Sequence, residues 1–204
     1  MKIQLDQITK TYGAQTVFKD ISALFESGKR YAIIGQNGSG KSTLLQLISG
    51  YVTPNAGRIE YHHDHGDALP IEEWYKHQAI AAPYLDLFEE LSVKESIFLH
   101  GKLKELVLDN NAILEDIELI EHADKPLAKL SSGMRQRLKL ALALYSDTPV
   151  LLLDEPTSNL DKKWIAWFQD RTLQQAKDRI VIVCTNSQEA ELALTDQPPL
   201  ELSV

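Results

Sequence analysis

Nine residues, GQNGSGKST at 35–43, have the types and the spacing to hold a polyphosphate. They fit G-x-x-x-x-G-K-[ST]. Gly35, Gly38 and Gly40 let the backbone fold around an anion so that several N–H groups point inward, with Gln36, Asn37 and Ser39 between them. Lys41 supplies a point charge for β- and γ-phosphates, the Ser42 hydroxyl is a Mg²⁺ ligand, and Thr43 closes the motif. A second segment, VLLLDEPTSNLD at 150–161, puts two carboxylates where an apolar run meets a loop. Asp154 is expected to hold Mg²⁺ through water, and Glu155 to act as general base toward an attacking water. A third, LSSGMRQRLKLALAL from Leu130, opens on Ser131, Ser132 and Gly133: either a plain N-cap or an anion site at a helix start. A fourth, VIVCTN at 181–186, is an apolar run that stops at Thr185 and Asn186.

Positioning these groups requires particular elements. RYAIIG reads as a short buried strand entering the glycine-rich loop, and STLLQLIS as the helix leaving it. PVLLLDE and VIVC read as further buried strands, and apolar strands alternating with helices indicate a parallel sheet. Residues 2–25 alternate apolar and polar side chains, the pattern of antiparallel strands with one wet face. From Ser92 to about Tyr145 the spacing turns helical in SVKESIFLHGKLKELV, NAILEDIELI and GMRQRLKLALALY, which predicts an inserted helical subdomain. SQEAELAL is expected to be the last helix, and PPLELSV to leave no room for a further domain.

The 204 residues carry 29 acidic against 21 basic side chains, a net charge of −8. That balance argues against a broad nucleic-acid footprint, and no nucleic acid is expected as a partner. No apolar run approaches a membrane span, MKIQLDQITK lacks the apolar core of a signal peptide, and the single cysteine, Cys184, is expected in the core. His62, His63, Asp64 and His65 are read as a solvated hairpin tip, and Trp164, Trp167 and Phe168 as core. YLDLFEE offers Leu85, Leu87 and Phe88 either to a partner's helix or to the chain's own core.

Taken in order, the segments resemble the ATP-binding cassette (ABC) ATPases over essentially the whole chain. GQNGSGKS resembles their Walker A, VLLLDE their Walker B, LSSGM the signature loop usually written L-S-G-G-Q, and SNLD the D-loop. Tyr12 stands where the family has an aromatic residue that stacks on adenine. The resemblance implies an α/β fold in one domain, 1–204. Its P-loop NTPase core would have a mostly parallel sheet, an N-terminal antiparallel β subdomain and an inserted helical subdomain at about 92–145. It implies a Mg-dependent ATPase with ATP and Mg²⁺ as cofactors. Two cassettes, expected to be a homodimer, would pair head to tail, so that Ser131 and Gly133 of one contact the γ-phosphate held by Lys41 of the other. The implied role is the nucleotide-binding subunit of a transporter, cytoplasmic and held at the inner membrane face by a separate permease subunit. In size it is similar to the haem-exporter-type small cassettes. The alternative is an ATP-gated binding or assembly module with little hydrolysis.

Three segments depart from the family pattern. In the signature, Ser132 replaces a glycine and Met134 the glutamine. Where the family places a glutamine that meets Mg²⁺ and water, this chain has Pro83 or Tyr84, since Gln78 lies too far upstream. Where the family has a switch histidine, Thr185 is followed by Asn186, which donates a hydrogen bond but does not titrate. Slow turnover through Glu155 is the expected consequence.

Overall fold

The computed structural model describes residues 1–202. Two sheets make its frame. Strands β1 (Lys2–Tyr12), β2 (Gln15–Glu26) and β4 (Ala56–His62) form an antiparallel sheet in the order β2-β1-β4. Strands β3 (Arg30–Ile34), β5 (Gln78–Ala81), β6 (Val150–Asp154), β7 (Ile180–Thr185) and β8 (Leu200–Glu201) form a parallel sheet in the order β5-β6-β7-β3-β8. The patterns explain the division. β1 alternates buried and exposed side chains, as a sheet with one wet face requires, whereas every residue of β6 and β7 is buried because helices cover both faces.

Three clusters of apolar side chains fill the space. One lies between the antiparallel sheet, helix α1 (Lys41–Ile48) and one face of the parallel sheet, and includes Ile3, Phe25, Leu44, Ile48 and Ile182. A second packs α5 (Ser132–Leu144) and α6 (Lys162–Gln175) on the opposite face, through Leu140, Leu144, Leu153, Phe168 and Val183. The third belongs to the helical region, where α3 (Val93–Leu103) and α4 (Asn110–Asp116) meet α5 around Ile97, Ile113 and Leu138. The α/β reading, with an antiparallel β subdomain and helices between β5 and β6, matches this architecture.

Several boundaries differ from the sequence pattern. Apolar spacing continues through KELV, yet α3 stops at Leu103 because Lys104 is extended (φ −141, ψ 136) and Val107 N–H donates to the Tyr145 carbonyl at 2.9 Å. Likewise α4 ends at Asp116, where Glu118 takes a left-handed turn (φ 51) and Leu119 N–H closes on the Leu114 carbonyl. SQEAELAL shortens to α7 (Glu189–Leu192). Short pieces leave little signal in the sequence: α2 (Ile71–Trp74) is too short to show periodicity, and β8 is a two-residue edge strand beside β3. Trp74 and Gln78 have a shared task. With Tyr61 they donate to the terminal carbonyls of α1, Tyr61 and Trp74 to Ile48 and Gln78 to Ser49, at 3.1, 2.9 and 2.7 Å. His63 and His65 lie in a turn with stacked rings, and among the described residues no group of three or more His, Cys, Asp or Glu is placed to hold a metal.

Candidate functional site

The C-terminal ends of β3, β6 and β7 meet at one edge, because their parallel register aligns Ile34 with Thr185 and Asp154 with Cys184. At that edge β3 runs into the phosphate-type loop and then α1. Gly40 caps α1 in a left-handed conformation (φ 95) and offers no side chain to its first amides, which are left free for an external anion. A Cβ at Gly40 would stand 2.5 Å from the Val17 side chain, so the close approach of loop and β2 depends on glycine there. Lys41 is buried and folded back, its Nζ donating to the Gly35 and Gln36 carbonyls at 2.9 and 3.2 Å. Neutral carbonyls are weaker partners for an ammonium than phosphate oxygens are. Ser39 is buried with an Oγ that meets no partner.

The structure brings Tyr12, Asn37, Gly38, Gly40, Lys41, Ser42, Thr43 and Glu155 together around one cleft of about 510 Å³. Tyr12 stands at its rim, exposed, with Lys10 Nζ 4.9 Å from the ring centre. Gln15, Thr16 and Val17, from the turn and start of β2, complete the lining; nothing in their types sets them apart from an ordinary hairpin.

Asp154 ends β6 at 2% exposure, and neither carboxylate oxygen has a hydrogen-bond partner. Burial, and then the neighbouring Glu155, push its pKa up, while the Ser42 hydroxyl, close by but not in a well-formed hydrogen bond, and Lys41 pull it down. A buried carboxylate with both oxygens orphaned beside a serine hydroxyl and an anion cradle has the donor chemistry of a hard divalent cation site. Glu155 follows with positive φ (44), held by its N–H on the Cys184 carbonyl at 2.9 Å, and this turn swings its side chain away from the line of β6. Tyr84 is near enough to feel the charge: burial first, then Asp154, raise its hydroxyl pKa.

Ser131, Gly133 and Asn186 do not line this cleft. Ser131 is the N-cap of α5 and accepts from Met134 N–H at 3.2 Å, while Gly133 packs so closely that a Cβ would meet the Asn159 carbonyl at 3.1 Å. Both N-cap and exposed helix start are therefore present. Asn186 is exposed one residue past β7, followed by Ser187 with φ 75. One contributor was not singled out in the sequence. Glu191 of α7 is buried and accepts from the Thr157 N–H and hydroxyl at 2.9 and 2.6 Å, fixing the loop that carries Glu155.

A sequence profile described as "ABC transporter" matches residues 18–158. An uncharacterized ABC transporter ATP-binding protein of Bacillus subtilis is 29% identical over 204 residues, covering 98% of this chain and 92% of that one. A Nod factor export ATP-binding protein of Sinorhizobium fredii is 31% identical over 93% of this chain, which spans 57% of that longer relative. The solved ATP-binding subunit of an ABC transporter superposes with a TM-score of 0.86 at 25% identity, covering 99% of this chain and 86% of the other.

Proposed function

This chain belongs to the ABC transporter family of ATP-binding ATPases, and we propose that it closes as a head-to-tail dimer on MgATP to drive a separate membrane-spanning subunit. The observation that carries the reading is the orphaned, buried Asp154 carboxylate at the edge where Ser42, Lys41 and Glu155 converge. Lys41 exchanges its two carbonyl partners for β- and γ-phosphate oxygens, the free amides of α1 bind the same group, and the exposed Tyr12 ring stacks on adenine. Asp154 and Ser42 would hold Mg²⁺, which would neutralise charge on the phosphates. Glu155 accepts the proton of a water as that water attacks the γ-phosphorus; the bond to the β–γ bridging oxygen breaks, leaving ADP and inorganic phosphate. Ser131 and Gly133 at the start of α5 supply the second surface, reaching the γ-phosphate bound by the partner cassette.

Turnover is slow in this reading, because Tyr84 is a poor Mg²⁺ ligand and Asn186 carries no charge. A groove lined by Leu87, Phe88, Leu99 and Leu103, with Phe88 68% exposed, suits a cytoplasmic helix of the membrane subunit, which would hold the cassette at the inner face of the membrane. No helix of the described residues is long and apolar enough to cross a membrane by itself. The second reading, an ATP-gated assembly module with little hydrolysis, is favoured by the same Tyr84 and Asn186. Detergent-dependent co-purification with a multi-span protein, lost in Phe88→Asp, separates the two.

The central test is Glu155→Gln. It is expected to lower steady-state ATP hydrolysis by roughly 10²–10⁴-fold while forming an ATP-dependent dimer on size-exclusion chromatography. A variant that keeps full turnover overturns the role of Glu155.

A further inference from the structure

Two open cavities meet at Glu155. The first is the cleft bounded by Tyr12, Lys41 and Ser42. The second, of about 520 Å³, lies between segment 83–89, the loop at Ser158 and Asn159, and one face of α5. Among the described residues, Glu155 is the one that lines both. We propose that the second cavity is the exit route and transient binding site for inorganic phosphate formed beside Glu155, with Lys139 and Arg135 receiving it. The inference rests on the hydrolytic reading above and adds a path for one of its products.

The distribution of charge supports it. Asp154 and Glu155 stand where the phosphate is made, and two carboxylates repel a departing dianion. Arg135 and Lys139 are four residues apart on α5, so their side chains share a face, and both line the second cavity. Lys139 is the better placed: its side chain is 14% exposed and its Nζ donates to the Ala82 carbonyl at 3.2 Å. Its nearest carboxylate, Asp86, is 3.7 Å away with a side chain 89% exposed, a loose pair that water screens. Burial, with a contribution from the neighbouring Arg135, lowers the Lys139 pKa in spite of Asp86. Arg135 spends one donor on the Leu130 carbonyl at 3.2 Å. Hydroxyls of Ser132 and Ser158 add neutral donors along the wall.

The same wall explains why phosphate would pass through and not lodge. Asp86 and Glu89 are both exposed and oppose an anion as it reaches solvent. The alternative path, back through the first cleft, runs past the phosphates of ADP and, in a closed head-to-tail pair, past the partner's α5. The side cavity, with Lys139 and Arg135 set against Glu155, Asp86 and Glu89, leads away from the phosphates of ADP.

The full chain is compared with Lys139→Met, which keeps an unbranched stem without the charge, Lys139→Arg, which keeps the charge, and Lys139→Met with Arg135→Gln. ADP formation is followed by acid quench and phosphate release by a fluorescent phosphate sensor in the same mixing experiment. Lys139→Met is expected to lengthen the lag between the two by about fivefold, more so in the double variant, and Lys139→Arg to shorten it again. An unchanged lag in the double variant overturns the proposal. Binding of inorganic phosphate to the ADP-loaded protein, read from ³¹P NMR line width, needs no hydrolysis. Lys139→Met is expected to weaken it about tenfold, with Lys139→Arg restoring it, and equal binding in all variants overturns the site. Absence of acid-quenched ADP from the unaltered protein removes the hydrolytic reading, while the phosphate titration still decides the cavity.

Discussion

Asp154 ends a strand whose five residues are all buried, and its carboxylate oxygens make no well-formed hydrogen bond. Its folded pKa is raised by burial, so the folded state holds the proton more tightly than the unfolded chain does. The stability linked to that proton is therefore full below the ordinary carboxylate value and lost as pH rises through the raised one. At neutral pH without Mg²⁺ the site destabilises the fold. Asp154→Asn is expected to raise stability in urea by about 1–2 kcal/mol at pH 7, with the gain shrinking toward acid, and to abolish hydrolysis. Equal or lower stability of the variant would contradict an unpartnered native carboxylate. Asn186 carries the complementary prediction. Asn186→His is expected to raise turnover and to introduce a step in kcat near the ordinary imidazole pKa of about 6.5, which the unaltered protein lacks at this position. That Lys41, Asp154 and Glu155 come to one edge of the sheet was legible, because the sequence sets them at the ends of apolar strands. Glu191 was not, since its partner Thr157 is 34 residues away and a glutamate on a short helix has no signature of its own. Gln78 and Lys139 were opaque for the same reason: one caps α1 and the other faces the second cavity through contacts distant in sequence.

Elements were legible where a single periodicity ruled. β6 and β7 are continuous apolar runs, and α3 begins with a capping box in which Ser92 and Glu95 satisfy each other's backbone N–H groups. Ends were harder, because α3 and α4 stop where tertiary hydrogen bonds overrule an apolar pattern that continues. How the helical region is held to the core was invisible in the sequence. Asp116, the last residue of α4, accepts from Tyr145, the residue just past α5, at 2.5 Å and from Trp167 and Arg171 on α6 at 2.8 and 2.7 Å. Burial alone would raise its pKa, but the bonds from Arg171, Tyr145 and Trp167 outweigh this and hold it below the ordinary carboxylate value. A depressed folded pKa means that the stabilisation is present above the unfolded value and disappears as pH falls through the folded one. Asp116→Ala is expected to cost about 2 kcal/mol at pH 7, after discounting for the partial exposure of Arg171, and the difference from the unaltered protein should narrow in acid. A constant difference down to acid pH would assign the loss to packing, not to the charged acceptor.

At the scale of the molecule, the phosphate-binding face and the start of α5 belong to the same chain but not to the same cleft: Lys41 lines the cavity, whereas Ser131 and Gly133 do not. If the start of α5 is the second half of the phosphate site, as proposed, the site is completed only with a second copy, and a two-fold axis completes two at once. This arrangement has a consequence that can be read in a mixture. Lys41→Ala removes the phosphate cation from every site of its own homodimer, and Ser131→Arg blocks every opposing helix start in its own; each variant alone is expected to be inactive. When the two are mixed, a heterodimer holds one site with both defects and one with neither, since the intact loop of the Ser131→Arg chain faces the intact α5 of the Lys41→Ala chain. Random pairing of equal amounts makes half the dimers mixed, each with one working site of two, so ATPase activity should return to about a quarter of the unaltered value. Because cooperativity between sites would lower that figure, the diagnostic result is recovery itself, appearing only on mixing and rising with total concentration as dimers form. If the mixture stays as inactive as its components while each variant still folds and Ser131→Arg still binds ATP, α5 does not act across the dimer, and the two cassettes do not share their phosphates in the way the geometry of this chain implies.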